Sequence, residues 1–303
     1  MLVNADVLEG IRTSARAVFI QGLGDLRPQM SDWEKIATTF QSDTERESYN
    51  WLGAAPPMNE WTDKRKLNGL RAFDYTLVNK DWEATLEISR NAIEDNKLGH
   101  IPVRVRGLTR SYLKFLNKMV FSQLDDGNTL TAYDGTAFFY DTRTIGGSGT
   151  IDNLLSGAYS DSSAEIRSAI SAAVVQMAAF KDDWGEAMNL MPDTIVCSPT
   201  MYVSIREALK ADVAGNQRTE AEFIKNIIAS PYIDADVKDW YVLCTTEEVK
   251  PLIFQNRKNP DFVQVDNPSD SHVFLNKTFL YGVDARCAFG YGDPRTAIKI
   301  VDS

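Results

Sequence analysis

Apolar residues recur along the chain in three patterns, and each predicts an element. At Phe73, Tyr75 and Leu77, and again at Trp82, Ala84, Leu86 and Ile88, apolar and polar positions alternate. Period two is the mark of a strand with one covered face. Asn79, Lys80 and Asp81 separate the two runs and supply turn chemistry, so the segment 51–90 predicts a long β-hairpin. A lone two-stranded hairpin is only marginally stable in water. Its aromatic face therefore needs cover from its own domain or from a neighbouring subunit.

Helical spacing appears elsewhere. Leu108, Tyr112, Phe115, Leu116 and Met119 share one face and predict a helix of roughly 20 residues. Pro102 suits its first turn, and Asp125, Asp126 and Gly127 close it. Ile166, Ile170, Val174 and Met177 predict a second helix, capped by Ser162 or Ser163. Tyr202, Ile205 and Leu209 predict a third after Pro199. Val7, Ile11 and Ala15 predict a helix near the start, and beyond Gly22 and Gly24 the segment turns polar and reads as an arm that packs on something else. Short continuous apolar runs predict buried strands at Thr194–Cys197, Trp240–Cys244, Leu252–Phe254 and Phe262–Val265, with further pieces at His272–Phe279 and Ala285–Tyr291. Helices and strands are mixed without βαβ regularity, which predicts an α+β fold. No internal repeat is visible.

Composition narrows the function. The chain has 303 residues, 44% hydrophobic and 24% charged, as a folded protein requires. It carries 32 Lys and Arg against 42 Asp and Glu, a formal charge of −10. Such a surface repels phosphate, which argues against a dedicated nucleic-acid binder. Cys197, Cys244 and Cys287 form no CxxC pair and read as buried thiols. Arg12 and Arg16 interrupt the apolar positions of the first thirty residues, so no signal peptide is expected, and no apolar run is long enough to predict a membrane span.

Candidate chemistry is sparse. The only histidines are His100 and His272. Asp270 and Ser271 adjoin His272, but sequence neighbours cannot form a relay that needs separated loops. Neither histidine has companions at zinc-ligand spacing. The GGSGT run at 146–150 lacks the lysine of a phosphate loop, and Gly22-Leu23-Gly24 lacks the third glycine of a dinucleotide fingerprint. Glu94 and Asp95 are adjacent and point apart, and Glu247 and Glu248 read as a solvated loop. The sequence thus predicts no catalytic residue, no cofactor and no metal, which suits a structural protein.

Two blocks carry a resemblance. Tyr49–Gly99 contains YNWLGAAPPMNEW followed by YTLVNKDWEATLEISR. Val249–Gln264 reads VKPLIFQNRKNPDFVQ, and His272–Ile300 contains GYGDPR. In this order the words resemble the major head subunits of Mu-like phages and prophages. The resemblance implies the Hong Kong 97-type capsid fold. Residues 1–50 would then be an N-terminal arm and 51–90 the extended loop. Residues 91–161 and 249–289 would form a peripheral domain with the spine helix over about 99–124, and 162–248 and 290–303 an axial domain.

It also implies a major capsid protein that self-assembles into pentamers and hexamers of an icosahedral shell. The shell would enclose double-stranded DNA without reading its sequence. Scaffold, portal and maturation protease are the implied partners, with no membrane. Assembly would take place in the bacterial host cytoplasm before the chain joins the virion. Trp51, Trp61, Lys64, Arg65, Tyr75, Trp82 and Arg90 are the expected subunit contacts, the aromatic residues finding their cover on an adjacent copy. A tail or decoration protein and a hydrolase are the competing readings.

Overall fold

The computed structural model describes residues 5–50, 52–53, 55–56, 58, 60–61, 75–94, 100–159, 162–210, 223–234, 238–267 and 269–302. In chain order the first elements are α1 (Ala5–Met30), α2 (Trp33–Ile36), β1 (Ala37–Gln41), β2 (Arg46–Ser48), β3 (Thr76–Val78), β4 (Lys80–Ser89) and α3 (Arg90–Glu94). Then come α4 (His100–Asp125), β5 (Arg143–Thr144), β6 (Thr150–Ile151), β7 (Leu154–Gly157), α5 (Ser163–Ala178), β8 (Thr194–Cys197) and α6 (Pro199–Lys210). The last are β9 (Asn226–Ala229), β10 (Trp240–Leu243), β11 (Leu252–Val265), α7 (Ser271–Asn276), β12 (Thr278–Tyr291) and β13 (Ala297–Asp302).

Helix α4 is buried on more than one side. Ile101, Val105, Leu108, Leu113, Leu116, Val120, Phe121 and Leu124 are all covered. Helix α1 runs beside it in the same direction, since Gly22 lies against Thr109 and the Met30 carbonyl accepts from Asn117 Nδ2 at 2.7 Å. A Cβ on Gly22 would come within 3.1 Å of Thr109 Oγ1, so this glycine permits the close approach of the helices. That explains why α1 continues past Gly22 and Gly24, where the pattern predicts a polar arm. The glycine here is a packing surface and not a breaker.

Among the described residues, the two strands of the predicted hairpin, β3 and β4, are not paired with each other. β3 pairs antiparallel with β2, and β4 pairs antiparallel with β12 along ten residue pairs, from Ser89 opposite Thr278 to Lys80 opposite Cys287. The alternation correctly marks two strands with one covered face each. It carries no information on which strand is the partner, and Asn79, placed as turn residue between them, is buried with its side chain bonded to Ser42 and Thr44. β4 closes one edge of a four-stranded sheet of order β1-β11-β12-β4. α4 packs on the face that carries Trp82, Ala84, Leu86 and Ile88.

A five-stranded sheet, β7-β13-β10-β8-β9, forms the second layer. β8 and β10 are buried at every position, as their continuous apolar runs require. α5 and α6 pack together beside it. Ser162 caps α5 through a reciprocal box with Glu165. β11 and β12 are single long strands where the sequence predicts fragments, because bulges between Asn256 and Asp261 break the apolar run without ending the ladder. His272–Phe279, predicted as a strand, is largely α7, whose end is set by Lys277 in the left-handed region at φ 54°.

One backbone motif recurs fifty residues apart. Thr131 bridges Ala137 and Lys181 bridges Ala187, each around a left-handed glycine, Gly135 at φ 80° and Gly185 at φ 89°. Both turns then close with a further bond, Phe138 N–H to the Leu130 carbonyl and Met188 N–H to Phe180. The two segments share little beyond the glycine and the alanine, so self-comparison of the sequence does not reveal it.

Candidate functional site

The residues singled out from the sequence scatter. The Tyr75 oxygen accepts from the Tyr291 N–H at 2.8 Å, and its ring lies beside Tyr49 in the core. Burial pushes its phenol above the ordinary value. Trp82 packs on Phe115 of α4 and donates from Nε1 to the Cys287 carbonyl at 3.3 Å. Each of these two rings thus packs on its own chain and is half-buried there. Trp61 is different, at 66% exposed. Arg90 begins α3, half-buried, with its N–H bonded to the Lys277 carbonyl. Trp51, Lys64 and Arg65 lie outside the described residues.

The histidines and cysteines sit in structural settings. His272 exchanges hydrogen bonds with Asn276 at 3.0 Å and Thr278 at 3.1 Å, holding α7 to the start of β12. His100 is exposed at the start of α4. All three thiols are free and buried. Burial pushes Cys197 and Cys287 up to about 12, far from a reactive thiolate. Among the described residues no group of three or more His, Cys, Asp or Glu is arranged to hold a metal ion.

The most organised polar cluster is one that sequence reasoning missed. Arg295, 1% exposed, donates to both carboxylate oxygens of Asp293 (2.9 and 2.7 Å), to Asp183 at 2.8 Å and to Tyr133 at 3.3 Å. Burial alone would lower the guanidinium, but the Asp293 charge and hydrogen bonds hold it above its ordinary value. Nearby, Arg143 is ion-paired with Asp134 at 3.0 Å and donates to the Ala137 carbonyl. Asp293 and Arg295 stand in the GYGDPR word, which the sequence marks without a role. The cluster joins chain segments near 133, 183 and 294, and its burial leaves no room for substrate. Buried charges persist only when paired and fully bonded, so this one fixes loops.

The exposed chemistry lies on the outer face of the four-stranded sheet. Opposite the Trp82 face, β4 presents Asp81, Glu83, Thr85 and Glu87, all exposed. This face is a row of solvent-facing carboxylates and one hydroxyl.

A family model described as the Mu-like prophage major head subunit gpT matches residues 8–163 and 226–301. The major capsid protein of Escherichia phage Mu is 27% identical over 300 residues, covering 99% of this chain and 75% of that protein. The Mu-like prophage FluMu major head subunit of Haemophilus influenzae is 26% identical over 262 residues, covering 86% of this chain and 63% of its relative. Among solved structures, the procapsid of bacteriophage JBD30 aligns with a TM-score of 0.62 at 24% identity, over 99% of this chain and 77% of that one. The architecture is the α+β fold of Hong Kong 97-type phage capsid subunits. The chain belongs to the family of Mu-like prophage major head subunits, structural proteins of the phage capsid and not enzymes.

Proposed function

We propose that copies of this chain join head-to-tail into closed rings of five and six, and that the rings build an icosahedral shell around double-stranded DNA. The observation that carries this reading is the family match across both 8–163 and 226–301. Heterologous contacts that close give rings, and a net charge of −10 means that copies associate only through specific surfaces. The same charge suits a container that encloses DNA without gripping it. Scaffold, portal and maturation protease are the further partners, and assembly takes place in the bacterial host cytoplasm.

In this proposal residues 1–50 form the arm. Residues 91–161 and 249–289 form the peripheral domain, and 162–248 with 290–303 the axial domain at the ring centre. Residues 51–90 form the extended loop, whose last strand, β4, pairs with β12. Trp51, Trp61, Lys64, Arg65, Tyr75, Trp82 and Arg90 are its contact residues. Expression of the chain alone and with its neighbouring phage genes, followed by negative-stain electron microscopy, tests this. Closed shells support it. Tubes alone, or monomers under every condition, overturn it.

A further inference from the structure

We infer that the apolar pair Phe274 and Leu275 on α7 of one copy seats in the cleft between α1 and α4 of another. The inference rests on the capsid reading above and names one contact by which copies of this chain join.

The pair is held out in solvent by its own structure. Val273 anchors α7 in the core, while Phe274 is 78% and Leu275 74% exposed. His272 bonds Asn276 and Thr278, and Lys277 ends the helix in the left-handed region, so the turn that carries the pair is fixed on both sides. Two adjacent large apolar side chains gain by leaving water. A short helix pinned in this way cannot turn them inward, so their cover has to come from outside the subunit.

The same chain carries a cleft of about 410 Å³ where α1, α2, α4 and β11 meet. Its apolar wall is Leu23, Trp33, Tyr112, Leu113, Leu116 and Phe254, and Gly24 at its edge leaves open space where a side chain would stand. The volume is that of a pocket able to enclose a sizeable apolar group. Trp33 is buried, and among the described residues its Nε1 has no acceptor. An unpaired buried donor is costly, and the last carbonyls of a helix such as α7 lack intrahelical partners and can accept from it.

The two halves do not meet within one subunit. Val273 shares a core cluster with Ile11, Ile101 and Val105, whereas the cleft lies at Leu23 and Leu113. Along α1 that is twelve residues, about 18 Å at 1.5 Å per residue. Charge selects a second copy as the occupant. Copies of a chain at −10 repel one another, yet Ser271–Asn276 contains no Asp, Glu, Lys or Arg. The only charged residues lining the cleft, Arg27 and Glu34, pair with each other at 2.8 Å. Knob and cleft thus join without opposing like charges. Knob and cleft are different surfaces, so the contact is head-to-tail, the kind that generates rings when it closes.

The test uses the full-length chain expressed with its neighbouring phage genes. F274D/L275D changes only exposed side chains, so the subunit keeps its circular dichroism and melting temperature, while the yield of shells falls at least tenfold. G24W, placed where nothing lies within 4 Å, plugs the cleft mouth with the same result. L275C/G24C reads the contact directly. Mild oxidation of its shells gives a ladder of covalent oligomers on non-reducing gels, and neither single variant does, since the three native thiols are buried. A disulfide needs Cα atoms within about 7 Å, which the two sites of one copy do not offer. Shells of F274D/L275D at the unaltered chain's yield overturn the inference, as do L275C/G24C shells that stay monomeric after oxidation, and both leave the capsid reading standing. If the unaltered chain itself forms no shells, the capsid reading fails and takes the inference with it.

Discussion

The Trp82 indole lies on the Phe115 ring, their centroids 4.6 Å apart and the planes tilted by 49°. This contact ties the edge strand β4 to α4, and Phe115 in turn meets Phe289 edge-on at 5.9 Å. The aromatic face of the predicted hairpin is therefore part of the subunit's own core. The apolar positions of β4 hold the fold, and its polar positions remain for contacts outside the chain.

Trp82→Ala tests that division. A fully buried Trp or Phe cut to Ala costs about 3–5 kcal/mol, and Trp82 is half-buried, so a loss of about 2–3 kcal/mol is expected. The midpoint of denaturant unfolding of the isolated subunit measures it. An unchanged midpoint would mean that the contact contributes nothing to folding.

The Arg295 cluster sets a larger effect. Removing the guanidinium in Arg295→Met leaves Asp183 and Asp293 buried without their cation. Breaking one partner of such a pair costs about 3–5 kcal/mol. Adding Asp183→Asn to Arg295→Met removes one stranded charge, so the double variant recovers part of the loss. A double-mutant cycle by thermal melting reads the coupling.

Two glycines predict opposite signs. Gly292 packs so closely on the Lys250 backbone carbonyl that a Cβ has no place, and its N–H bonds the Pro251 carbonyl at 2.8 Å. Gly292→Ala must push backbone against backbone and is expected to cost about 3 kcal/mol. Gly24 is inside α1 with nothing within 4 Å of the position of a Cβ. Gly24→Ala is expected to add about 0.5–1 kcal/mol of stability. Differential scanning calorimetry distinguishes the two.

Glu47 gives a pH dependence. Its Oε1 accepts from Ser42 Oγ and Thr44 Oγ1, both at 2.9 Å, and from the Asp43 and Thr44 N–H groups. The side-chain bonds from Ser42 and then Thr44 hold the carboxyl below its ordinary 4.5. The folded state thus binds this proton less readily than the unfolded chain. Its contribution to stability is complete above 4.5 and is lost as pH falls through the lower folded value. Melting temperature against pH should fall less steeply below 4.5 in Glu47→Gln than in the unaltered chain.

The periodic signals were local and were legible without a structure. Alternation marked β4 and named its covered side chains, and a period near 3.6 marked α4. Continuous apolar runs found β8 and β10, and the cap of α5 was narrowed to Ser162 or Ser163, of which the structure uses Ser162. Each depends on neighbouring residues along the chain, which sequence records directly. Partner choice does not. Sequence could not decide between Trp82 facing its own α4 and facing another copy, because both satisfy the same alternation. The Asp293–Arg295–Asp183 cluster joins segments more than a hundred residues apart, and no local pattern announces it. The row Glu83–Asp284–Asp261 exists only once three strands are in register, since a shift of one residue would turn every side chain to the other face. Secondary structure and covered faces follow from short-range sterics and burial. Tertiary pairing, settled by long-range packing, decided which surfaces remain for other subunits.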